Sequence, residues 1–312
     1  MFRRDFFTAA AVGTGAALLA GSSLAASTDN GRGKQQSGAR RLSGSMIQTR
    51  DGAELFYRDW GTGQPVVFLS GWTLPSESWS YVMTPLSESM RCVAFDRRGH
   101  GRSSDPGRGY DYDTLANDLA DVLEALDLRD VTLVAHSMSG GEAARYLSRV
   151  GSKRIARLVL VATTLPYLTR TADNPFGVEA QVFEQARQNF LLKDFPKWLR
   201  DNARPFVVAE TSTEIMDWLH GMMMQCSMKA VIECNRAFTS TDFRAEVAKI
   251  TVPTLLIHGD KDVSSPIPIS AARVEQIIPG AKLQVYAGAP HGIFVTHAAQ
   301  IVTDLRAFIR TA

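Results

Sequence analysis

The stretch "VTLVAHSMSGGEAARYLSRV" (residues 131–150) joins a short apolar run to a segment suited to an α-helix. Residues 131–136 are mostly aliphatic or β-branched, which is typical of a buried strand, and the residues after Gly141 favour a helix. Ser137 therefore lies at a sharp turn from strand to helix. At such a turn the hydroxyl projects from the end of the sheet, and the next N–H can stabilise an oxyanion. The stretch predicts a nucleophilic serine.

Two positions in this turn depart from the expected pattern. Ala135 and Ser139 stand where such turns usually carry glycine, because neighbouring backbone passes close. Alanine and serine are the next smallest residues, and Gly140 and Gly141 keep the start of the helix slim. The turn alone is also compatible with a serine that merely caps a helix, so the presence of a base and an acid decides between the two interpretations.

A serine nucleophile needs a histidine as base and a carboxylate that fixes the histidine tautomer. Where the serine follows a strand in this way, the acid and then the histidine come later in the chain. The predicted strand at residues 253–257 is followed by "HGDKDVSSP", which offers Asp262 and, as an alternative, Asp260. "GAPHGIF" places His291 on a tight loop before the last helix. We therefore predict a triad of Ser137, Asp262 and His291.

An oxyanion hole requires two backbone donors. One is the N–H of Met138, directly after the serine. The segment "FLSGWTLPSESW" (residues 68–79) supplies the second, with Gly71 making a turn and the N–H of Trp72 directed into the site.

Strands and helices alternate through most of the chain, which predicts a mostly parallel eight-stranded sheet flanked by helices. The first two strands, in residues 46–63, are joined by a turn at Asp51–Gly52. Residues 166–240, after the sixth strand, contain no convincing strand and are interpreted as a helical cap over the carboxyl ends of the strands. The large apolar side chains predicted to line a substrate pocket are Trp198, Trp218, Met222 and Phe294. The alternative is that these groups only hold the cap on the core.

The N-terminus has the character of an export signal. Arg3 and Arg4 precede an apolar run that ends in small residues, so residues 1–25 are predicted to be a twin-arginine-type signal peptide of a periplasmic or secreted protein. A membrane anchor is the alternative, but the apolar run is short, and we expect no stable membrane insertion after cleavage. Residues 26–44 have the composition of a flexible linker. The catalytic domain is then expected at residues 45–312.

The composition argues against several other classes of protein. The formal net charge of +2 gives no electrostatic reason to expect nucleic acid. The three cysteines, Cys92, Cys226 and Cys234, are too few and too irregularly spaced for a metal site or a disulfide framework, and they are interpreted as buried thiols. Neither a metal nor an organic cofactor is expected.

With these residues in place, the chain from about residue 46 to 310 resembles the α/β-hydrolase superfamily. Within it, the chain is similar to bacterial arylesterases and cofactor-free, non-haem haloperoxidases. Beyond the triad, the resemblance rests on "FDRRGHGRSS" (95–104), "RLVLVAT" (157–163), "AFTSTDF" (237–243) and "APHG" (289–292). The resemblance implies the α/β-hydrolase fold. The "RRGHGRS" run is interpreted as a structured turn without a catalytic role.

The oxyanion loop departs from this group, which commonly carries His-Gly-Trp-Pro where the chain has Ser70, Gly71, Trp72 and Thr73. Peroxide chemistry in the group depends on that loop, so we expect hydrolysis rather than peroxide chemistry. The expected substrate is a carboxylic ester or lactone of an apolar small molecule, and aromatic compounds belong to this class. One alternative is perhydrolysis with halide oxidation by the same triad. Others are carbon–carbon bond hydrolysis and a ligand-binding protein with a vestigial triad.

Overall fold

The computed structural model describes residues 38–42 and 44–310. A sheet runs through this part of the chain in the strand order β1-β2-β3-β5-β4-β6-β7-β8-β9. Pairing is antiparallel from β1 to β3 and between β3 and β5, and it is parallel from β5 onward. The strands are β1 Arg40–Arg41, β2 Met46–Gln48, β3 Glu54–Trp60, β4 Pro65–Leu69, β5 Arg91–Phe95, β6 Val131–His136, β7 Ile155–Val161, β8 Thr254–Gly259 and β9 Lys282–Tyr286.

Helices connect the parallel strands. Before β7 they are α1 Ser80–Leu86, α2 Tyr112–Ala125 and α3 Ser139–Arg149. Between β7 and β8 they are α4 Ala180–Ala186, α5 Leu192–Asp201, α6 Ala203–Phe206, α7 Thr213–Met223, α8 Met228–Ser240 and α9 Arg244–Val247. After β8 they are α10 Ala271–Ile277, α11 Ile293–Thr296 and α12 Ala298–Arg310. Short 3₁₀ turns cover Ser76–Trp79 and Ile267–Ile269, and a π-helical turn covers Arg187–Leu191.

The fold class agrees with the prediction except in the strand count. The described residues contain nine strands, not eight, because Arg40 and Arg41 pair with Gln48 and Ile47 at the edge of the sheet. Composition gave no sign of this, since two adjacent arginines have no apolar alternation. The linker prediction for residues 26–44 is therefore wrong at β1. The other eight strands follow the predicted order, with the helical insertion after the sixth of them.

Each face of the sheet buries its own apolar core. Along β4, Val67 and Leu69 belong to one core cluster, whereas Val66 and Phe68 belong to the other, as expected when a strand is covered on both faces. Helix α2 begins where the Asp111 side chain accepts a hydrogen bond of 2.9 Å from the N–H of Thr114. The two core clusters show that both faces of the sheet are covered. The loops and the insertion lie at the carboxyl ends of the parallel strands.

The predicted signal peptide lies outside the described residues, as does most of the predicted linker. Among residues 38–42 and 44–310, no helix has both the length and the apolarity needed to cross a membrane. Cys92, Cys226 and Cys234 are buried free thiols. Burial raises the pKa of Cys92 to about 12, so this thiol is not a reactive one.

Gly259, the last residue of β8, allows the loop that follows β8 to touch the loop that follows β9. A Cβ at this position would lie 1.9 Å from the carbonyl oxygen of Ala289. We expect Gly259→Ala to lower the free energy of unfolding by at least about 2 kcal/mol, because one of the two loops must move. Urea unfolding monitored by circular dichroism measures this change.

Gly221→Ala in α7 is the matched control. Among the described residues, no atom beyond the local helix backbone comes within 4 Å of a Cβ there. Alanine also favours a helix over glycine, so this variant should gain about 0.5 to 1 kcal/mol. Equal stability of the two variants would show that the two loops do not approach this closely.

Candidate active site

Ser137 stands directly after β6, in a backbone conformation that residues other than glycine rarely adopt. Its φ is +57°, in the left-handed region. The N–H of Ser137 donates to the carbonyl of Val161 in the neighbouring strand at 2.9 Å, and the carbonyl of Ser137 accepts from the N–H of Gly140 at 3.2 Å. The strained residue is therefore held by the sheet on one side and by the first turn of α3 on the other.

The two residues that replace glycine fit this turn. Ala135 is fully buried in β6, and Ser139 is fully buried at the start of α3. The Ser139 hydroxyl lies 3.0 Å from the carbonyl oxygen of Leu69 and 2.8 Å from that of His136. Its polar group is therefore satisfied, and it links the start of α3 to β4, so the substitution does not distort the turn.

The structure brings together the three side chains predicted as a triad. The Nε2 atom of His291 lies 2.9 Å from Ser137 Oγ, and its Nδ1 atom lies 2.7 Å from Asp262 Oδ2. All three residues are at most 7% exposed. Asp260 is exposed and accepts a hydrogen bond from the N–H of Gly288, so the carboxylate that faces the histidine is Asp262.

Asp262 accepts more hydrogen bonds than the one with His291. Its Oδ1 atom accepts from the N–H groups of Ser264 and Ser265, both at 2.8 Å, and its Oδ2 atom accepts from Ser265 Oγ at 3.0 Å. His258 Nε2 lies 3.1 Å from the same Oδ2. Burial raises the pKa of Asp262, but His291 and His258 lower it by more, so the pKa lies well below its usual value. This carboxylate is ionised and fixed in position.

Sequence reasoning missed three residues of this environment. Ser265 and His258 contact Asp262, and His136 donates from Nε2 to the carbonyl of His291 at 3.1 Å. Ser265 and His258 lie within four residues of Asp262 and His136 directly precedes Ser137, which is the only signal that the sequence carried. No motif marks Ser265 and His258 as partners of Asp262, and the contact of His136 depends on loops that meet across the sheet, which a single sequence does not give.

The loop after β4 lies beside the serine. A Cβ on Gly71 would come within 3.4 Å of the Cβ of Ser137 and within 2.5 Å of His136 Nδ1. Within the described residues, neither the backbone N–H of Trp72 nor that of Met138 donates a hydrogen bond. Both proposed oxyanion donors are therefore free to bind a substrate oxygen. Thr73 has a φ of +64°. A proline could not adopt this φ, because its ring fixes φ at about −65°.

The predicted pocket residues divide between the site and the core. Trp198 packs edge-on against the indole of Trp72, with ring centroids 5.6 Å apart. Met222 and Phe294 are buried in the core, and Phe294 contacts His136 with ring centroids 4.9 Å apart. Trp218 instead contacts Tyr81, a half-exposed residue of α1.

One aromatic residue next to the histidine was not predicted. The ring centroid of Phe206, at the end of α6, lies 5.7 Å from that of His291. Its carbonyl accepts a hydrogen bond of 2.8 Å from the N–H of Gly292. Phe206 therefore joins the insertion to the loop that carries the histidine. Among the described residues, no group of three or more His, Cys, Asp or Glu side chains is arranged to hold a metal ion.

A family model described as "Alpha/beta hydrolase family" matches residues 66–305. The chain is 43% identical over 254 residues to the non-heme chloroperoxidase CPO-A1 of Kitasatospora aureofaciens, with 80% of this chain and 92% of that protein covered. It is 37% identical over 276 residues to the bifunctional esterase/perhydrolase DCH of Acinetobacter calcoaceticus, with 85% and 99% covered. The solved structure of the esterase EaEST from Exiguobacterium antarcticum matches with a TM-score of 0.82 and 31% identity, covering 86% of this chain and 100% of that chain. The chain therefore belongs to the alpha/beta hydrolase family, which confirms the predicted fold class and the resemblance.

His136 makes the stability of the protein depend on pH. Burial and, to a lesser extent, the charge of His291 lower the pKa of His136 to about 3 from a usual value of 6.5. Between these two values the unfolded chain binds a proton that the folded chain does not bind. The stabilising contribution is therefore complete above about pH 6.5, and it is lost as the pH falls toward 3.

We expect His136→Phe to weaken this pH dependence. Between about pH 7.5 and about pH 5.5, the wild-type protein should lose about 1 kcal/mol more unfolding free energy than the variant, since one pKa unit corresponds to about 1.4 kcal/mol. Urea titrations at both pH values give the difference. Identical losses in the two proteins would mean that the pKa of His136 is the same in the folded and the unfolded state.

Proposed function

We propose that the protein is a serine hydrolase that cleaves a carboxylic ester or lactone of an apolar small molecule. The observation that carries the proposal is the continuous hydrogen-bonded path from Ser137 Oγ through His291 to Asp262 Oδ2, with 2.9 Å and 2.7 Å at its two steps. A helix-capping serine would need neither a buried histidine nor a buried carboxylate beyond it. Family membership supports the reaction class.

Each group has a defined part in the proposed reaction. Ser137 Oγ attacks the carbonyl carbon while its proton moves to His291 Nε2, and the resulting oxyanion accepts hydrogen bonds from the N–H groups of Trp72 and Met138. The tetrahedral intermediate collapses as the carbon–oxygen bond to the alcohol breaks, and the alcohol takes the proton from Nε2. Water then repeats both steps on the acyl-enzyme and releases the carboxylic acid. Asp262 orients the imidazole and stabilises its cationic form.

We infer an apolar substrate from the aromatic side chains around the oxyanion loop. The indole of Trp72 has Phe195, Trp198 and Phe238 of the insertion as ring neighbours, at centroid distances of 5.6 to 6.1 Å. Phe206 lies on the histidine side. Aromatic walls with a few polar groups at the reacting centre are typical of sites for apolar or aromatic small molecules.

Perhydrolysis is the second candidate, and the names of two relatives favour it. CPO-A1 is called a chloroperoxidase, and DCH is called an esterase/perhydrolase. In that reaction hydrogen peroxide takes the place of water on the acyl-enzyme and the product is a peracid. We place hydrolysis first because Thr73, with a φ of +64°, gives the oxyanion loop a backbone that a proline at this position would exclude.

Labelling with a fluorophosphonate tests the nucleophile. We expect one phosphonate adduct, located on Ser137 by peptide mass spectrometry, and no adduct in Ser137→Ala. His291→Ala should label at a rate lower by at least about 10³-fold, since the hydroxyl loses its base. If folded wild-type protein bound apolar ligands but formed no adduct, it would be a ligand-binding protein with a vestigial triad.

The assignment of the acid has a matched control two residues away. Asp262→Asn should lower kcat for p-nitrophenyl acetate on the order of 10³- to 10⁴-fold, because the histidine would lose the carboxylate that fixes its tautomer. Asp260→Asn should keep kcat within about twofold, since an exposed surface substitution has little effect. A larger loss in Asp260→Asn than in Asp262→Asn would reverse the assignment.

The choice between water and peroxide is tested with one acyl donor. With p-nitrophenyl acetate and hydrogen peroxide present together, we expect acetic acid to form faster than peracetic acid, because the positive φ of Thr73 gives the oxyanion loop a backbone that a proline there would exclude. Chromatography of the two acids measures their rates. Peracid as the main product would make perhydrolysis the principal reaction, and Ser137→Ala should abolish both products.

A further inference from the structure

The first arginine of the "RRGHGRS" run, which sequence reasoning interpreted as a turn, is buried beside the oxyanion loop. Arg97 follows β5, and its side chain is 3% exposed. Glu142 lies in α3, five residues after Ser137. Its side chain is 2% exposed and accepts a hydrogen bond from Arg97 Nε at 2.7 Å. A buried ion pair contributes little net stability compared with apolar residues of similar size, so its presence needs another explanation.

The guanidinium also donates to two successive carbonyls of the oxyanion loop. Its Nη2 lies 2.7 Å from the oxygen of Ser70, and its Nη1 lies 3.4 Å from the oxygen of Gly71. His100 supplies a further acceptor for the Arg97 guanidinium. Its Nδ1 donates to the carbonyl of Arg98 at 2.9 Å, which leaves Nε2 as an acceptor 3.5 Å from Nη1.

The second of these carbonyls belongs to the peptide that carries the proposed oxyanion donor. Because a peptide is planar and trans, the C=O of Gly71 and the N–H of Trp72 point in opposite directions. A donor that fixes the carbonyl therefore also fixes the direction of the N–H. The guanidinium charge polarises the amide as well, which makes the N–H a stronger donor. Leu74 N–H also donates to Gly71, at 3.2 Å, but this donor is neutral.

Glycine makes this restraint necessary. Gly71 cannot carry a side chain, since a Cβ would lie 2.5 Å from His136 Nδ1. A residue without Cβ leaves the peptides on both of its sides free to rotate. Arg97 binds the carbonyls of both peptides, and its rigid fork fixes them relative to Glu142 in α3, the helix that follows Ser137. The carbonyl of the Ser137–Met138 peptide also accepts from a neutral N–H, that of Gly140 at 3.2 Å, so the charged donor is what distinguishes the Gly71–Trp72 peptide.

We propose that Arg97, held by Glu142, is a positioning residue that aligns and polarises the Gly71–Trp72 peptide for oxyanion binding. This inference rests on the proposed serine hydrolase function. Both halves of that reaction form an oxyanion, so a misaligned N–H lowers kcat whichever half is slower. Ground-state binding of the ester does not need the oxyanion donor, so KM should change little.

The test compares Arg97→Lys with Arg98→Lys in the full-length protein. A lysine at 97 keeps the charge, but one ammonium cannot reproduce the planar fork that serves Glu142, Ser70 and Gly71 together. We expect kcat for p-nitrophenyl acetate to fall about 10- to 100-fold and KM to stay within about threefold. This fall in kcat is smaller than the one caused by removing an oxyanion donor altogether. Phenylboronic acid inhibits by forming a tetrahedral adduct with the serine hydroxyl, and its inhibition constant should rise by a similar factor.

Arg98 is a matched control, because it is also fully buried and paired. It binds Asp118 and Asp51 and makes no hydrogen bond to the oxyanion loop. Arg98→Lys should therefore lose stability but keep kcat and boronate inhibition within about twofold. Equal effects of the two substitutions, or a rise in KM alone for Arg97→Lys, would overturn the proposed role of Arg97.

A second variant tests the proposal if Arg97→Lys does not fold. Replacing the whole pair, in Arg97→Met/Glu142→Leu, leaves no unpaired buried charge and is often tolerated. It removes the donors to both carbonyls, so it should show the same loss of kcat and of boronate affinity. Wild-type kinetics separate the two proposals. If wild-type protein neither hydrolyses the ester nor reacts with a fluorophosphonate, the proposed function fails and this inference with it. If it does both and the Arg97 variants match it, only this inference fails.

Discussion

The left-handed backbone of Ser137 is the constraint on which the site depends. Such a conformation costs residues other than glycine about 1 to 3 kcal/mol of conformational free energy, so it persists only where the surrounding contacts hold it. Here β6 lies between β4 and β7, and the N–H of Ser137 is bound to Val161. Helix α3 begins two residues later. The chain therefore has to turn within a few residues, and the serine at the apex presents its hydroxyl at the carboxyl end of the sheet.

Parallel strands place the other groups at the same edge. The loops after β4, β6, β8 and β9 carry Trp72, Ser137, Asp262 and His291, so residues far apart in the chain meet because their strands point the same way. The spacing between the last two loops depends on Gly259, which allows contact with the backbone of Ala289. The distance from Asp262 to His291 is therefore set by a backbone contact as well as by the hydrogen bond itself.

Chain order and strand patterning were sufficient to predict the fold class, eight of the nine strands and the side chains that meet as Ser137, Asp262 and His291. The same reasoning could not find Ser265, His258, Phe206 or Arg97. Phe206 and Arg97 contact the site through tertiary packing that nothing in their own neighbourhood indicates. Ser265 and His258 lie within four residues of Asp262, but no motif marks them as its partners. The pocket residues show the same limit. A large apolar side chain in the insertion contacts the oxyanion loop at Trp198 but is buried in the core at Met222, and helical spacing does not distinguish these cases.

The oxyanion loop is held from two sides, one by a charged group and the other by neutral groups. On the core side, Arg97 binds the carbonyls of Ser70 and Gly71. On the other side, the Trp72 indole donates to the carbonyl of Val231 in α8 at 2.9 Å and packs against Trp198. The core contacts come from a buried charged group, whereas the second set comes from neutral groups of the insertion. A displacement of α8 would pull on the side chain of Trp72, the proposed oxyanion donor. The guanidinium binds the carbonyl of the Gly71–Trp72 peptide itself, so in the proposed reaction the core contact keeps the proposed oxyanion donor in place while the insertion contacts the indole.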